Sequence, residues 1–438
     1  FDANNYHEPT IRTFQTQWPT PDLTDYASST APGYHLGLSL ASMSMSENRV
    51  FLRLIGAIFT IGLLITIAFW SGRRLGTLQA TLCCLPLVAS MYVFVSGAYL
   101  LPDNAAWWGV LAIILLSLSQ RWNYGLLLVS GLILLALVFT RQVHIWVAAP
   151  IWAAAWLGPA AMHKRPPDQL YLAEPKSALV RLVVSVIVTL PAFILLGWLI
   201  FLWGGLVPPS FQEGAGNQQA GNPATPAFIL AQLGFFSIFF GGYLIPAARH
   251  IARRAPVFLV AAAILGALLA IIPETSFNQE AGRFSGFWAA VQRTPTFGDR
   301  SVLLTFGSAL GGLCLFLWWA ALPHRQRWII LITLIAFIAA QSTNSFAWQR
   351  YHEPFLLMLL PIMAACTRLG GPDLRPITET LQTQRGRDIG RLVGPLLLAC
   401  VLGVITTWTV LKAQPARSLD QSQAMLTDNP EFISVNKD

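Results

Sequence analysis

Charge is what this sequence has least of. Asp, Glu, Lys and Arg make up 11% of its 438 residues, where soluble domains carry roughly 25%. Hydrophobic residues reach 55%, a balance that excludes a soluble globular protein. Lysine is scarcer still, with 4 residues against 24 arginines, a bias that suits a GC-rich, bacterial genome. The five cysteines, Cys83, Cys84, Cys314, Cys366 and Cys400, all fall inside apolar runs. None has metal-ligand spacing or a loop position where a disulfide would serve, so they read as small core residues. There is no Gly-rich strand–helix phosphate loop, no HExxH, no CxxC and no recognisable nucleotide-binding domain. That sets aside a soluble nucleotide sugar as donor, and transport driven by ATP bound to this chain.

Long apolar runs are abundant instead. Stretches of roughly 18 residues or more, enough to cross a bilayer, recur along the chain. Spans are expected at about 50–70, 77–100, 104–119, 123–140, 143–160, 179–204, 227–247, 255–273, 301–322, 327–342, 355–369 and 391–412. The fold class is therefore an all-α polytopic membrane protein with about 12 transmembrane helices. Residues 1–49 form a first extracytoplasmic loop, whose segment 34–46 is apolar but too short to span and suits an interfacial or re-entrant helix. Residues 50–412 form the multi-span domain, and 413–438 a polar tail. The sequence opens at Phe1 on a polar stretch, with no Met and no charged leader, so a preceding span is expected to be missing from this numbering.

The net charge of +8 does not call for nucleic acid, because membrane proteins gather Lys and Arg in cytoplasmic loops. Seventeen of the 28 basic residues, from Arg73 and Arg74 through Lys164, Arg165, Arg253 and Arg254 to Arg391, fall on one side. That side is cytoplasmic. The other side receives residues 1–48, the turns at Asp103 and Arg141, and the loops 205–226, 274–300 and 342–354, and every chemically interesting cluster falls there.

Four clusters stand out. Asp2-Ala3-Asn4-Asn5-Tyr6-His7-Glu8-Pro9 presents two carboxylates and an imidazole at a membrane surface. Either carboxylate can serve as a general base on a hydroxyl; the competing reading is a solvated, helix-capping loop. Tyr99-Leu100-Leu101-Pro102-Asp103-Asn104 is a tight turn in which Asp103 either caps the next helix or meets a substrate, and the two are compatible. Phe139-Thr140-Arg141-Gln142-Val143-His144-Ile145-Trp146 places three polar groups between two hydrophobic segments. An Arg near mid-bilayer costs roughly 2.5–3.5 kcal/mol on insertion scales, so Arg141 faces a polar cavity or a partner unless it snorkels to the headgroups. Its planar, permanently charged fork suits phosphate. His144 reads as a donor or as a structural histidine. Trp348-Gln349-Arg350-Tyr351-His352-Glu353-Pro354 sets Arg350 and His352 at a depth matching Arg141, and two arginines there would hold a lipid-borne phosphate.

On these stretches the chain resembles a GT-C superfamily glycosyltransferase. Among its branches it is most similar to the α-1,2-glucosyltransferases that finish the lipid-linked oligosaccharide of N-glycan assembly from dolichyl-phosphate-glucose. Asp2…Tyr6-His7-Glu8-Pro9 is similar to the family's acidic-aromatic-His-x-Pro segment, and Tyr26-Ala27-Ser28-Ser29-Thr30-Ala31-Pro32-Gly33-Tyr34 resembles its Thr-rich Pro-Gly turn. Phe139–Trp146 parallels a segment reading Arg-Gln-Thr-Asn before apolar residues and Trp, and Gln349-Arg350-Tyr351 its late Arg-containing motif. The family's acidic pair stands four and three residues before its His, where Ala3 and Asn4 stand here, and His144 replaces its Asn.

The resemblance implies a hexosyltransferase, glucose favoured, that uses a polyprenyl- or dolichyl-phosphate-linked donor and a glycan or lipid-linked acceptor. Its partners are those substrates and membrane lipid; no metal or cofactor is expected. It would act with inversion on the outer side of the bacterial cytoplasmic membrane, or in the endoplasmic reticulum if eukaryotic. Asp2 or Glu8 would be the base, with Asp103 orienting the acceptor or the first loop. Arg141, Gln142, His144, Arg350 and His352 would hold the donor phosphate, with Tyr6 and His7 supporting the first loop. The competing class is a transporter or flippase for a polyprenyl-linked glycan; a non-catalytic membrane protein is the third.

Overall fold

Polar residues and prolines keep the first 48 residues out of the long apolar helices. In the computed structural model, which describes residues 2–119, 123–159, 175–213, 221–275, 286–344, 347–367 and 381–412, they fold as short pieces. A π-helical turn, Ala3–His7, runs into α1 (Glu8–Thr16). Pro9 sits in the first turn of α1, directly after the π-helical turn, and offers no N–H to it. The helix α2 (Gly33–Ser44) follows the Pro32-Gly33 turn and buries Tyr34, His35 and Leu38. Gly33 is required there. A Cβ on it would lie 2.6 Å from the carbonyl oxygen of Phe139, so the first turn of α2 rests directly on the end of a later helix.

Long apolar runs then become helices whose ends are set by capping groups and by polar residues. Asn48 caps α3 (Arg49–Leu75) by accepting from the Val50 N–H, and Gly76, at φ 83°, ends it. Next come α4 (Thr77–Ala89) and α5 (Met91–Ala98), bent by 71° at Ser90, then α6 (Asp103–Ser117) and α7 (Tyr124–Thr140). A 3₁₀ turn, Gln142–Val147, leads into α8 (Ala148–Leu157). After α9 (Pro175–Trp203) and the short α10 (Pro209–Glu213) come α11 (Thr225–Ile238) and α12 (Gly241–Arg254), bent by 99°. The remainder is α13 (Pro256–Ile271), α14 (Phe287–Gln292), a two-residue ribbon of β1 (Thr296–Phe297) with β2 (Arg300–Ser301), α15 (Val302–Ala321), α16 (His324–Ser342), α17 (Gln349–Cys366) and α18 (Leu381–Lys412).

The chain is an all-α polytopic membrane protein. Each of the twelve apolar segments read from the sequence contains a helix. By length and composition, four described helices are able to cross a membrane alone, or six if each bent pair is one span. The other expected spans are helices that fall short of that length or hydropathy. The 15 residues of α6 rise roughly 22 Å, less than the ~30 Å of a bilayer core. This shortness has a local cause: α6 begins at Asp103 and α7 stops before Arg141, so polar groups end these helices inside what would be apolar thickness. The proposed tail, 413–438, lies outside the described residues.

Small residues bring the helices close. A Cβ on Gly311 would lie 1.9 Å from the Leu230 carbonyl oxygen, and one on Gly312 2.4 Å from that of Ala262, so α15 is pressed between α11 and α13. The helix α17 is the central column, buried continuously from His352 to Cys366. Around it, α3, α9 and α18 turn apolar side chains such as Ile58, Ile65, Phe201 and Val404 outward, as a lipid-facing surface requires.

Candidate functional site

Four chain segments meet at the head of α17: the π-helical turn, the start of α6, the end of α7 and the Trp348-Gln349-Arg350-Tyr351 turn. Where α7 stops, Arg141 is extended (φ −155°, ψ 99°), which releases its side chain from the helix surface. Its guanidinium pairs with the Asp103 carboxylate, both side chains being less than one-fifth exposed. Arg350 pairs with Asp2 (Nη1 to Oδ2, 2.7 Å) at about one-third exposure. Tyr351 joins the two pairs. Its hydroxyl accepts from Arg350 Nη2 at 3.0 Å, and its ring lies 5.0 Å from the Arg350 guanidinium and 5.2 Å from that of Arg141. Trp348 faces Arg350 at 4.2 Å. Two cations are thus held by aromatic faces and by carboxylates, leaving N–H groups available to an anion.

The first loop is built against this cluster. His7 Nδ1 and His35 Nε2 share a hydrogen bond of 2.9 Å, with the rings stacked at 5.2 Å. One nitrogen must accept, so the pair needs an unprotonated imidazole. Burial, reinforced by Arg141 and Arg350, pushes His7 down to about 3. Burial and the Asp2 charge push the Tyr6 hydroxyl up, and its ring stands edge-on to Phe211 at 5.4 Å.

The remaining expected residues lie elsewhere. Glu8 turns to Arg49 (Oε2 to Nε, 2.6 Å), whose guanidinium also reaches Asn4. Gln142, expected at the donor phosphate, has its amide hydrogen-bonded to backbone. Its Oε1 accepts from Ala31 N at 2.8 Å, and its Nε2 donates to the carbonyls of Ser29 (2.9 Å) and Leu206 (2.8 Å). It clamps the Pro-Gly turn to the site. His144 and His352, also expected there, are both buried among aromatic side chains, against Trp107 and Trp146 in one case and Phe228 and Phe337 in the other. Neither ring has a hydrogen-bond partner among the described residues. Sequence reasoning gave no role to Tyr351, although it stands beside Arg350 in the motif, nor to Glu353, which is buried one turn further on.

An apolar cavity of about 510 Å³ lies between α2, α3, α6 and α7. It is roofed by α2 (Gly33, Tyr34, Gly37), backed by α6 (Ala105, Trp108, Gly109) and flanked by Phe59 of α3 and Thr140 of α7. Thr140 precedes Arg141, and Ala105 lies two residues beyond Asp103. The cavity lining thus comes within one residue of Arg141 in sequence. Among the described residues, no group of three or more His, Cys, Asp or Glu is placed to hold a metal ion.

The buried imidazole pair makes stability depend on pH. Unfolded histidine titrates near pH 6.5, whereas folded His7 does so at about 3. Between those values the unfolded chain binds more protons, so stability falls as pH drops below about 6.5 and is complete above it. Thermal melting in detergent is expected to show Tm falling from about pH 7 to about pH 5, with a shallower slope in His7→Asn. A flat profile would show that His7 titrates as an exposed imidazole.

No family model matches the chain, and no curated protein matches it. A crystal structure of ArnT from Cupriavidus metallidurans bound to undecaprenyl phosphate is similar over 92% of this chain and 83% of that one, at 13% identity and a TM-score of 0.33.

Proposed function

We propose that this chain is a membrane glycosyltransferase of GT-C type. It moves a hexose, glucose favoured, from a polyprenyl- or dolichyl-phosphate donor to a glycan or lipid-linked acceptor on the extracytoplasmic face, with inversion. The observation that carries this reading is the pair of guanidinia, Arg141 and Arg350, bridged by the Tyr351 ring, in a membrane chain whose apolar cavity is lined as far as Thr140, the neighbour of Arg141 in sequence. An isoprenoid phosphate has that polarity: an apolar tail and an anionic head.

In this reading the Asp2 carboxylate takes the proton of an acceptor hydroxyl as the oxygen attacks the anomeric carbon. The new C–O bond forms as the bond to the phosphate oxygen breaks, and the lipid phosphate leaves with that electron pair. A phosphate leaving group is already a stable anion, so no carboxylic acid need protonate it, unlike glycoside hydrolysis. It needs charge stabilisation, which Arg141 and Arg350 supply. Asp103 holds Arg141 in place.

The test offers the full chain, in nanodiscs, polyprenyl-phosphate-glucose, polyprenyl-phosphate-mannose and a nucleotide sugar with candidate acceptors, and follows release of polyprenyl phosphate. Release from a lipid donor alone supports the reading. One observation favours a polyprenyl-linked glycan transporter instead: helices broken by 71° at Ser90 and by 99° between α11 and α12, a feature of transport folds. Donor binding without release, together with movement of the lipid between leaflets, would establish the transporter.

A further inference from the structure

Glu353 is a carboxylate that the proposed chemistry does not use. It is 2% exposed and forms no ion pair among the described residues. Ser90 Oγ donates to its Oε1 at 2.6 Å, and Gln349 Nε2 donates to its Oε2. The Gln349 Oε1 in turn accepts from the Phe287 N–H. The orientation of the Gln349 amide is forced: a backbone N–H faces one end, so its own NH₂ must face Glu353. Four groups thus form one continuous chain, running from the break between α4 and α5, through the first turn of α17, to the outer segment that begins α14.

That segment is fitted closely to α17. Gly286 is at φ 60°, and a Cβ on it would lie 2.2 Å from Gln349 Oε1. Trp288 Nε1 donates to the Ala347 carbonyl at 2.8 Å, and its ring stacks on Phe228 at 4.2 Å. Gln349 immediately precedes Arg350, whose guanidinium makes the Asp2 and Tyr351 contacts. A buried acceptor left without its donor is costly, so the chain forms as a unit or not at all.

We propose that Glu353 and Gln349 are positioning residues: their buried hydrogen-bond chain docks residues 286–288 on the head of α17 and so fixes the aim of Arg350. This rests on the reading of the cluster as a transferase site. Glu353 acts as an anchor for hydrogen bonds and does not itself touch the sugar.

The experiment compares Gln349→Leu, Glu353→Leu, their double variant and Glu353→Gln, in turnover and in amide exchange of 286–292. Either leucine variant is expected to lower kcat by roughly 10²-fold, as a misplacement of about 1 Å does, with little change in KM. The double variant should be no worse than either single, and the amides of 286–292 should exchange faster in all three. Glu353→Gln should keep near-normal kcat and slow exchange, because its Oε1 accepts from Gln349 while its Nε2 donates to Ser90. A Glu353→Gln variant as inactive as Glu353→Leu would overturn the proposal, as the charge and not the chain would matter. So would unchanged exchange in Gln349→Leu, a variant at the half-exposed end of the chain that does not depend on filling the buried Glu353 site. Exchange that follows the expected pattern in a protein with no transferase activity on any donor would leave the anchoring intact and overturn the transferase reading alone.

Discussion

Asp2→Asn is expected to lower sugar transfer by roughly 10²–10⁴-fold, the range a positioned general base contributes, with little loss of folded protein. The structural cost is small because Asp2 and Arg350 are each about one-third exposed, and ion pairs of that kind contribute at most about 1 kcal/mol. The chemical cost is large because an amide cannot accept the acceptor's proton. In the unliganded site Arg350 holds the Asp2 carboxylate. A donor phosphate that draws Arg350 to itself would free that carboxylate to meet the acceptor hydroxyl. Donor binding and release of the base would then be one event. Turnover at saturating donor, compared between the parent chain and Asp2→Asn, checks this. Glu8→Gln should cost far less, since Glu8 is engaged by Arg49. The reverse result, with Glu8→Gln inactive and Asp2→Asn near normal, would transfer the base to Glu8.

How much of this was legible in the sequence follows from what a sequence records. Asp103, Arg141 and Arg350 were visible because a charge at the end of an apolar run has few explanations. The helical segments were visible for the same reason, as hydrophobic length. The pairing of Asp2 with Arg350 was not, because 348 residues separate them and only the folded chain brings the first loop to α17. Gln142 stands beside Arg141 in the sequence, but a 3₁₀ turn starts between them. That change of backbone points one side chain at Asp103 and the other at the carbonyls of Ser29 and Leu206. His144 and His352 show a different limit. An imidazole near a helix end has the same letter whether it lines a polar site or packs edge-on to Trp107 or Phe337. Tyr351 was hidden by position alone, since nothing in an Arg-Tyr pair says that the ring will sit between two guanidinia. The shortness of α6 and α7 belongs with these. It arises from Asp103 and Arg141 meeting each other, and a hydropathy reading places their helices without that meeting.

The Asp103–Arg141 pair yields the other large effect, and it separates stability from chemistry. Arg141→Ala leaves the Asp103 carboxylate, less than one-fifth exposed, without its counter-charge. Breaking a fully buried pair from one side costs about 3–5 kcal/mol and this partly buried one less, so a fall in Tm is expected, together with a loss of transfer of roughly 10²-fold or more, the cost of removing one donor to a developing anion. Adding Asp103→Asn to Arg141→Ala removes the stranded charge and should recover most of the Tm. It should recover none of the transfer if, as proposed, the missing cation is what stabilises the leaving phosphate. Arg141→Lys keeps the charge but loses the planar fork and the stacking on Tyr351, so it should fold normally and transfer slowly. Transfer that returned with Tm in the double variant would show that Arg141 only shapes the turn after α7, and the phosphate would then be left to Arg350 alone.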